Sequence, residues 1–135
     1  MGLTSRLTAL LLAAFPVAFP LEGDPIPRSI ATDPTYGLTS TNPVRVGGTV
    51  DGLAAEEAYL AALRSPTGEP VTFRYRNSCC AFPTSNAWFG TEALLDAYDV
   101  RYPGLRKPIV IYLNKFEWQE PRAPVGFTLE RERPQ

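Results

Sequence analysis

Leu94-Leu95-Asp96-Ala97-Tyr98-Asp99-Val100-Arg101-Tyr102 is followed, after the link Pro103-Gly104-Leu105-Arg106-Lys107-Pro108, by Ile109-Val110-Ile111-Tyr112-Leu113. In the first run Leu95, Ala97, Asp99 and Arg101 alternate with Leu94, Asp96, Tyr98, Val100 and Tyr102, the period of two that marks a strand. The second run is apolar throughout, as expected of a strand covered on both faces, and is predicted to be the most central one. The link is short and carries Pro-Gly, so a hairpin with local antiparallel pairing is the default.

Upstream, Val71, Phe73 and Tyr75 alternate with Thr72, Arg74 and Arg76, which predicts another strand. Val44-Arg45-Val46 reads as a short strand running into Gly47-Gly48, and Val125-Gly126-Phe127-Thr128-Leu129 as a last one. Between the first two lies the single predicted helix, 53–64. Asp51 is placed to cap it, and Leu53, Leu60 and Leu63 are spaced to share one face. Ala54, Ala55, Ala58, Ala61 and Ala62 favour the helix intrinsically. Glu56 and Glu57 read as charges favoured near the positive end of its dipole. Ser65-Pro66-Thr67-Gly68-Glu69-Pro70 ends it, because Pro does not continue a helix. The fold class predicted is α+β, an antiparallel sheet of four to five strands with one packed helix.

Four segments are expected along the chain. Arg6 precedes an apolar run over residues 7–19, so 1–21 reads as a signal-like leader, and its prolines make it unlike a membrane span. Residues 22–42 carry Pro25, Pro27 and Pro34 among polar residues and read as an extended linker. The α+β domain is expected over 43–129 and a solvated tail over 130–135. The leader implies export to the periplasm, the outer envelope or the medium.

Composition removes several kinds of chemistry. The formal net charge is −1 with no His, and 44% of the residues are hydrophobic and 20% charged, an ordinary globular mixture. Lys occurs only at Lys107 and Lys115, with no basic stripe to neutralise phosphates, so nucleic acid is not an expected partner. Without His, neither a Ser–His nor a Cys–His nucleophile system can be assembled, and no metal site or cofactor is expected. The spacing from Gly47 to Gly52 fits a phosphate-binding loop, but Leu53 stands where that loop needs Lys, so the glycines read as a turn.

The chemistry that remains lies in residues 76–90, Arg-Asn-Ser-Cys-Cys-Ala-Phe-Pro-Thr-Ser-Asn-Ala-Trp-Phe-Gly, a stretch too irregular for a predicted element. Cys79 and Cys80 are adjacent, whereas ordinary disulfides join segments whose Cα atoms lie about 5.5–6 Å apart. Three states are open: reduced and packed apart, joined to each other, or bonded to another molecule. In the first, one thiol packs beneath Phe82 and Trp88 while the other faces a strand. As a reactive site, either thiol would be activated by Arg74 or Arg76. The candidate binding or redox residues are Cys79, Cys80, Arg76, Phe82 and Trp88. Lys115 would form a Schiff base only if desolvated and reads as solvated beyond Asn114, and Asp96, Asp99, Glu117 and Glu120 read as cross-strand partners for Arg74 and Arg101 rather than as an acid and base pair. Tyr98, Tyr102, Tyr112, Phe116, Trp118 and Trp88 either fill the core or form an exposed platform.

Tyr36-Gly37-Leu38-Thr39, Asn42-Pro43-Val44-Arg45-Val46-Gly47-Gly48, Glu57-Ala58-Tyr59-Leu60-Ala61-Ala62-Leu63, Ser78-Cys79-Cys80, Leu94-Leu95-Asp96 and Ile111-Tyr112-Leu113-Asn114 together resemble a family of small exported bacterial envelope proteins, over about residues 36–128. Members of that family are often lipoproteins, although this sequence has no N-terminal lipid-accepting Cys. Some carry the name 2-dehydro-3-deoxyphosphooctonate aldolase, which implies a phosphoenolpyruvate-condensing barrel enzyme. Such a barrel takes about 250 residues and eight strand–helix alternations; this chain offers 135 residues and one helix pattern. The function expected is therefore that of an envelope-associated binding or structural module, more a binder than an enzyme. It would act through the loop around the vicinal cysteines on a protein, peptide or glycan. A thiol-dependent redox protein is the alternative, and the aldolase activity a third reading.

Overall fold

The computed structural model describes residues 30–48 and 51–130. The expected leader, residues 22–29 of the expected linker and residues 131–135 of the tail lie outside them. The elements are β1 (Val44–Arg45), α1 (Gly52–Ala62), β2 (Leu63–Arg64), β3 (Thr72–Pro83), β4 (Glu92–Arg101), β5 (Ile109–Asn114) and β6 (Thr128–Leu129). The fold is α+β: one helix against a four-stranded sheet ordered β1-β5-β4-β3, with a small sheet of β2 and β6 beside it.

The β4–β5 hairpin forms as its sequence predicts, with Tyr98 opposite Ile111 and Asp96 opposite Leu113. The sheet as a whole is mixed rather than purely antiparallel, because β1 lies parallel to β5 and pairs Val44 with Leu113. Hairpin rules see only neighbours in sequence, and this pairing joins distant segments. It leaves β5 between β1 and β4, an interior place suited to its apolar run.

β3 runs further than its alternation foretells, through Pro83, so the cysteines lie in a strand and not in an irregular loop. Two register shifts, between Tyr75 and Asn77 and between Cys79 and Ala81, make this possible. Arg76 and Cys80 are the extra residues, and Cys80 takes φ 67°, uncommon for any residue but Gly. Bulges absorb residues that break the alternation and leave the pairing on either side intact.

Residues 30–42 are not an extended linker. Ala31 N–H donates to the Ala123 carbonyl at 2.8 Å, and Gly37 N–H to Asn42 O at 2.7 Å. Asp33 accepts from both the backbone and the hydroxyl of Thr35, and Asn42 donates to Thr35 Oγ1. Polar side chains that close turns on their own backbone stand in for apolar periodicity, while Ala31 is buried and Tyr36 and Leu38 pack on the core.

Asp51 caps α1, accepting from Ala54 N at 3.0 Å. The inward face is Glu56, Tyr59, Leu60 and Leu63, an i, i+3, i+4, i+7 stripe, while Leu53 is half exposed. These residues meet Tyr98, Val100, Ile111, Leu113 and Phe127 in one core. Burying each large aliphatic side chain contributes about 1.5–3 kcal/mol. The aromatics divide between the two expected roles: Tyr98 is core and Tyr102 packs edge-on against Phe127, whereas Trp88 and Trp118 are exposed.

Gly47 and Gly52 are needed for closeness. A Cβ on Gly47 would lie 2.6 Å from the Lys115 carbonyl oxygen, and one on Gly52 2.7 Å from Lys115 Cβ. Gly47→Ala is therefore expected to destabilise the fold by about 1–3 kcal/mol, read as a lower urea midpoint; an unchanged midpoint would contradict this packing.

Candidate functional site

The bulge at Arg76 sets the site. It shifts the side-chain alternation of β3 by one, so that Ser78, not Asn77, stands opposite Asp96 on the face that carries Tyr75 and Tyr98. Lys115 reaches the same place from the end of β5. Asn114 Oδ1 accepts from the backbone N–H groups of Phe116 and Glu117 at 2.8 and 3.0 Å, turning the chain, and Gly47 and Gly52 crowd the turn from below.

A chain of hydrogen bonds results. Ser78 Oγ donates to Asp96 Oδ1 at 2.7 Å, and Lys115 Nζ donates to Asp96 Oδ2 at 2.9 Å. With the Ser78 proton given to a carboxylate, the 2.7 Å contact of Tyr75 OH with Ser78 Oγ has the phenol as donor. Beneath them Tyr98 OH donates to Glu56 Oε1 at 3.2 Å. Glu56 Oε2 is buried without a hydrogen-bond partner among the described residues. Lys115 Nζ also lies 5.5 Å from the Trp88 ring centre and 5.9 Å from that of Phe116, within cation–π range.

The two carboxyls are driven apart. Burial pushes Glu56 up to about 8, and the neighbouring Asp96 adds to the rise. Burial alone would raise Asp96 too, but the hydrogen bonds from Ser78 and Lys115 outweigh it and hold the group below its usual value. Burial, then Glu56, raises the Tyr98 phenol well above its ordinary value. At neutral pH Asp96 and Lys115 are thus a charged pair and Glu56 is a neutral acid.

Two open clefts meet at this cluster. One, of about 520 Å³, lies between α1 and β3 with Leu53, Glu57, Phe73, Tyr75 and Tyr98 in its walls. The other, of about 300 Å³, is walled by Trp88, Phe89, Glu92, Leu94 and Phe116. Ser78, Asp96 and Lys115 line both.

Of the residues predicted from sequence, Trp88 lies in the second cleft, and Phe82 packs edge-on against Phe116, which in turn meets Trp88. Cys79 and Cys80 are joined to each other, so the reading in which one thiol packs beneath Phe82 and Trp88 does not hold. Arg76 is tied to Asp99 at 2.9 Å rather than poised to activate a thiol. Asp99 lies opposite Arg74 in register, yet the bulged Arg76 takes the ion pair. Lys115 is mostly buried against Asp96 instead of solvated. Glu56 was readable as more than a helix-start charge, since it falls on the stripe of Leu60 and Leu63. Tyr75 and Lys115 had no such signal, because a bulge and an Asn-built turn place them.

Comparison of the chain with protein-family models, with curated proteins and with solved structures finds no match. Among the described residues no helix is long and apolar enough to cross a membrane, and no group of three or more His, Cys, Asp or Glu is placed to hold a metal ion.

The folded value of Glu56, about 8, lies above its ordinary 4.5. Its contribution to stability is complete below the ordinary value and is lost as pH rises through the folded one. In urea titrations at pH 5, 7 and 9, wild type is expected to lose on the order of a few kcal/mol relative to Glu56→Gln as pH rises. Parallel curves for the two proteins would show that Glu56 does not titrate in this range.

Proposed function

We propose that this chain is an exported binding module of the cell envelope, whose ligand lies in the two clefts that meet at Ser78, Asp96 and Lys115. One observation carries the reading. Of the eight large hydrophobic side chains exposed among the described residues, six line these clefts: Leu53, Phe73, Tyr75, Trp88, Phe89 and Leu94. Apolar area gathered in one place around a few fixed polar groups is what a binding surface needs, whereas scattered exposed hydrophobics carry no such meaning. The Ser-Cys-Cys segment supports the reading as framework. Ser78 belongs to the polar centre, and the Cys79–Cys80 bond lies at the second bulge of the strand that supplies it.

The bonded pair, with Cys80 exposed, favours a second reading as a thiol–disulfide protein. Turnover of a dithiol substrate by the purified chain, lost in Cys79→Ser, would replace the binding reading with that one.

For the binding reading, immobilised protein is exposed to an extract of envelope components beside a Tyr75→Ala/Trp88→Ala variant. Both side chains are exposed, so the variant is expected to fold. A component retained by wild type and lost from the variant is the expected result; identical retention by the two would remove the clefts from the function.

A further inference from the structure

Each cleft combines two exposed aromatic rings with one carboxylate of its own beside the shared Asp96. In the first, Glu57 accompanies Phe73 and Tyr75; in the second, Glu92 accompanies Trp88 and Phe89, whose exposures of 69% and 87% are the highest among the exposed large hydrophobics. Neither Glu57 nor Glu92 has an ion-pair partner among the described residues. Lys115, the cation that lines the clefts, is neutralised by Asp96. Three carboxylates, Glu57, Glu92 and Asp96, thus face one ammonium, which leaves the lining at −2 with Glu56 neutral. Aromatic faces beside an unpaired carboxylate suit the long stem and cationic head of Arg or Lys.

The spacing of the clefts adds a second constraint. Tyr98 lines the first and Leu94 the second, with Asp96 common to both, and the three are alternate residues on one face of β4. Four residues of strand span about 13 Å. An extended peptide laid along β4 has the same rise, so its first and fifth side chains fall into the two clefts and its third lies over the polar centre. Lys115 has three N–H donors and gives one to Asp96, which leaves others for a peptide carbonyl there.

We infer that the twin clefts bind an extended peptide segment carrying two basic side chains four positions apart, one in each cleft, with a small polar residue between them. This rests on the clefts being the binding site, and it names the ligand class.

The probe is acetyl-Arg-Ala-Ser-Ala-Arg-amide, with two controls: acetyl-Arg-Arg-Ala-Ser-Ala-amide, of the same composition, and acetyl-Glu-Ala-Ser-Ala-Glu-amide. Binding is read from Trp88 fluorescence in a Trp118→Phe background. The spaced probe is expected to bind at least about tenfold more tightly than either control. Glu57→Gln and Glu92→Gln, both at exposed positions, are each expected to weaken it several-fold while the circular dichroism stays unchanged. Equal binding of the spaced and adjacent peptides, binding of the Glu peptide as tight as that of the Arg peptide, or no Trp88 response to the spaced probe would each overturn the inference. A Trp88 response to the Glu peptide or to a neutral oligosaccharide, without one to the spaced probe, would overturn it while keeping the clefts as a binding site.

Discussion

Asp96 is a carboxylate with 3% of its side chain exposed, and the site depends on its staying ionised there. A buried charge is tolerated only when it is paired and hydrogen-bonded. Lys115 supplies the pairing and Ser78 the second hydrogen bond, and each arrives by a separate local device. The Arg76 bulge turns Ser78 to the correct face, and the Asn114 turn, closed by Gly47 and Gly52, delivers Lys115. Burial keeps the neighbouring Glu56 protonated, and the charge on Asp96 adds to that. Removing any one support would leave a buried group unsatisfied, which costs more than the contact itself contributes.

The same arrangement joins fold to function. α1 covers the core with Tyr59, Leu60 and Leu63 and places Glu56 against Tyr98. Its first turns flank the first cleft with Leu53 and Glu57, facing Phe73 and Tyr75 of β3. Outer aromatics and two unpartnered carboxylates then border a neutral polar centre. In the proposed reading these give a ligand both apolar contact and a preference for positive charge. The Cys79–Cys80 bond lies one step from Ser78, at the bulge where φ at Cys80 is positive.

The α+β class, the β4–β5 hairpin, the helix and its Asp51 cap were legible because period-two alternation, apolar runs and capping residues are local signals. The parallel pairing of Val44 with Leu113 was not, since it joins distant segments and leaves no mark in either. The order of residues 30–42 was hidden for another reason: Asp33, Thr35 and Asn42 stabilise turns through side-chain hydrogen bonds that resemble linker composition. At the site, Trp88 was legible as a candidate binding residue, with core and surface both open for it, and Ser78 only as a neighbour of the cysteines. The bulges are the main obstacle. Each moves every following side chain to the opposite face, and the sequence of residues 76–83 has no alternation from which to count them.

The measurement that bears most directly on this account is a double-mutant cycle on Asp96 and Lys115, using Asp96→Asn, Lys115→Met and the double variant in urea unfolding at pH 7. A buried pair whose members each stabilise the other's charge predicts a coupling above about 1 kcal/mol, with the double variant less destabilised than the sum of the two singles. Additive effects would mean that the two groups do not sense each other, and that the polar centre where the clefts meet is not the organised site described above.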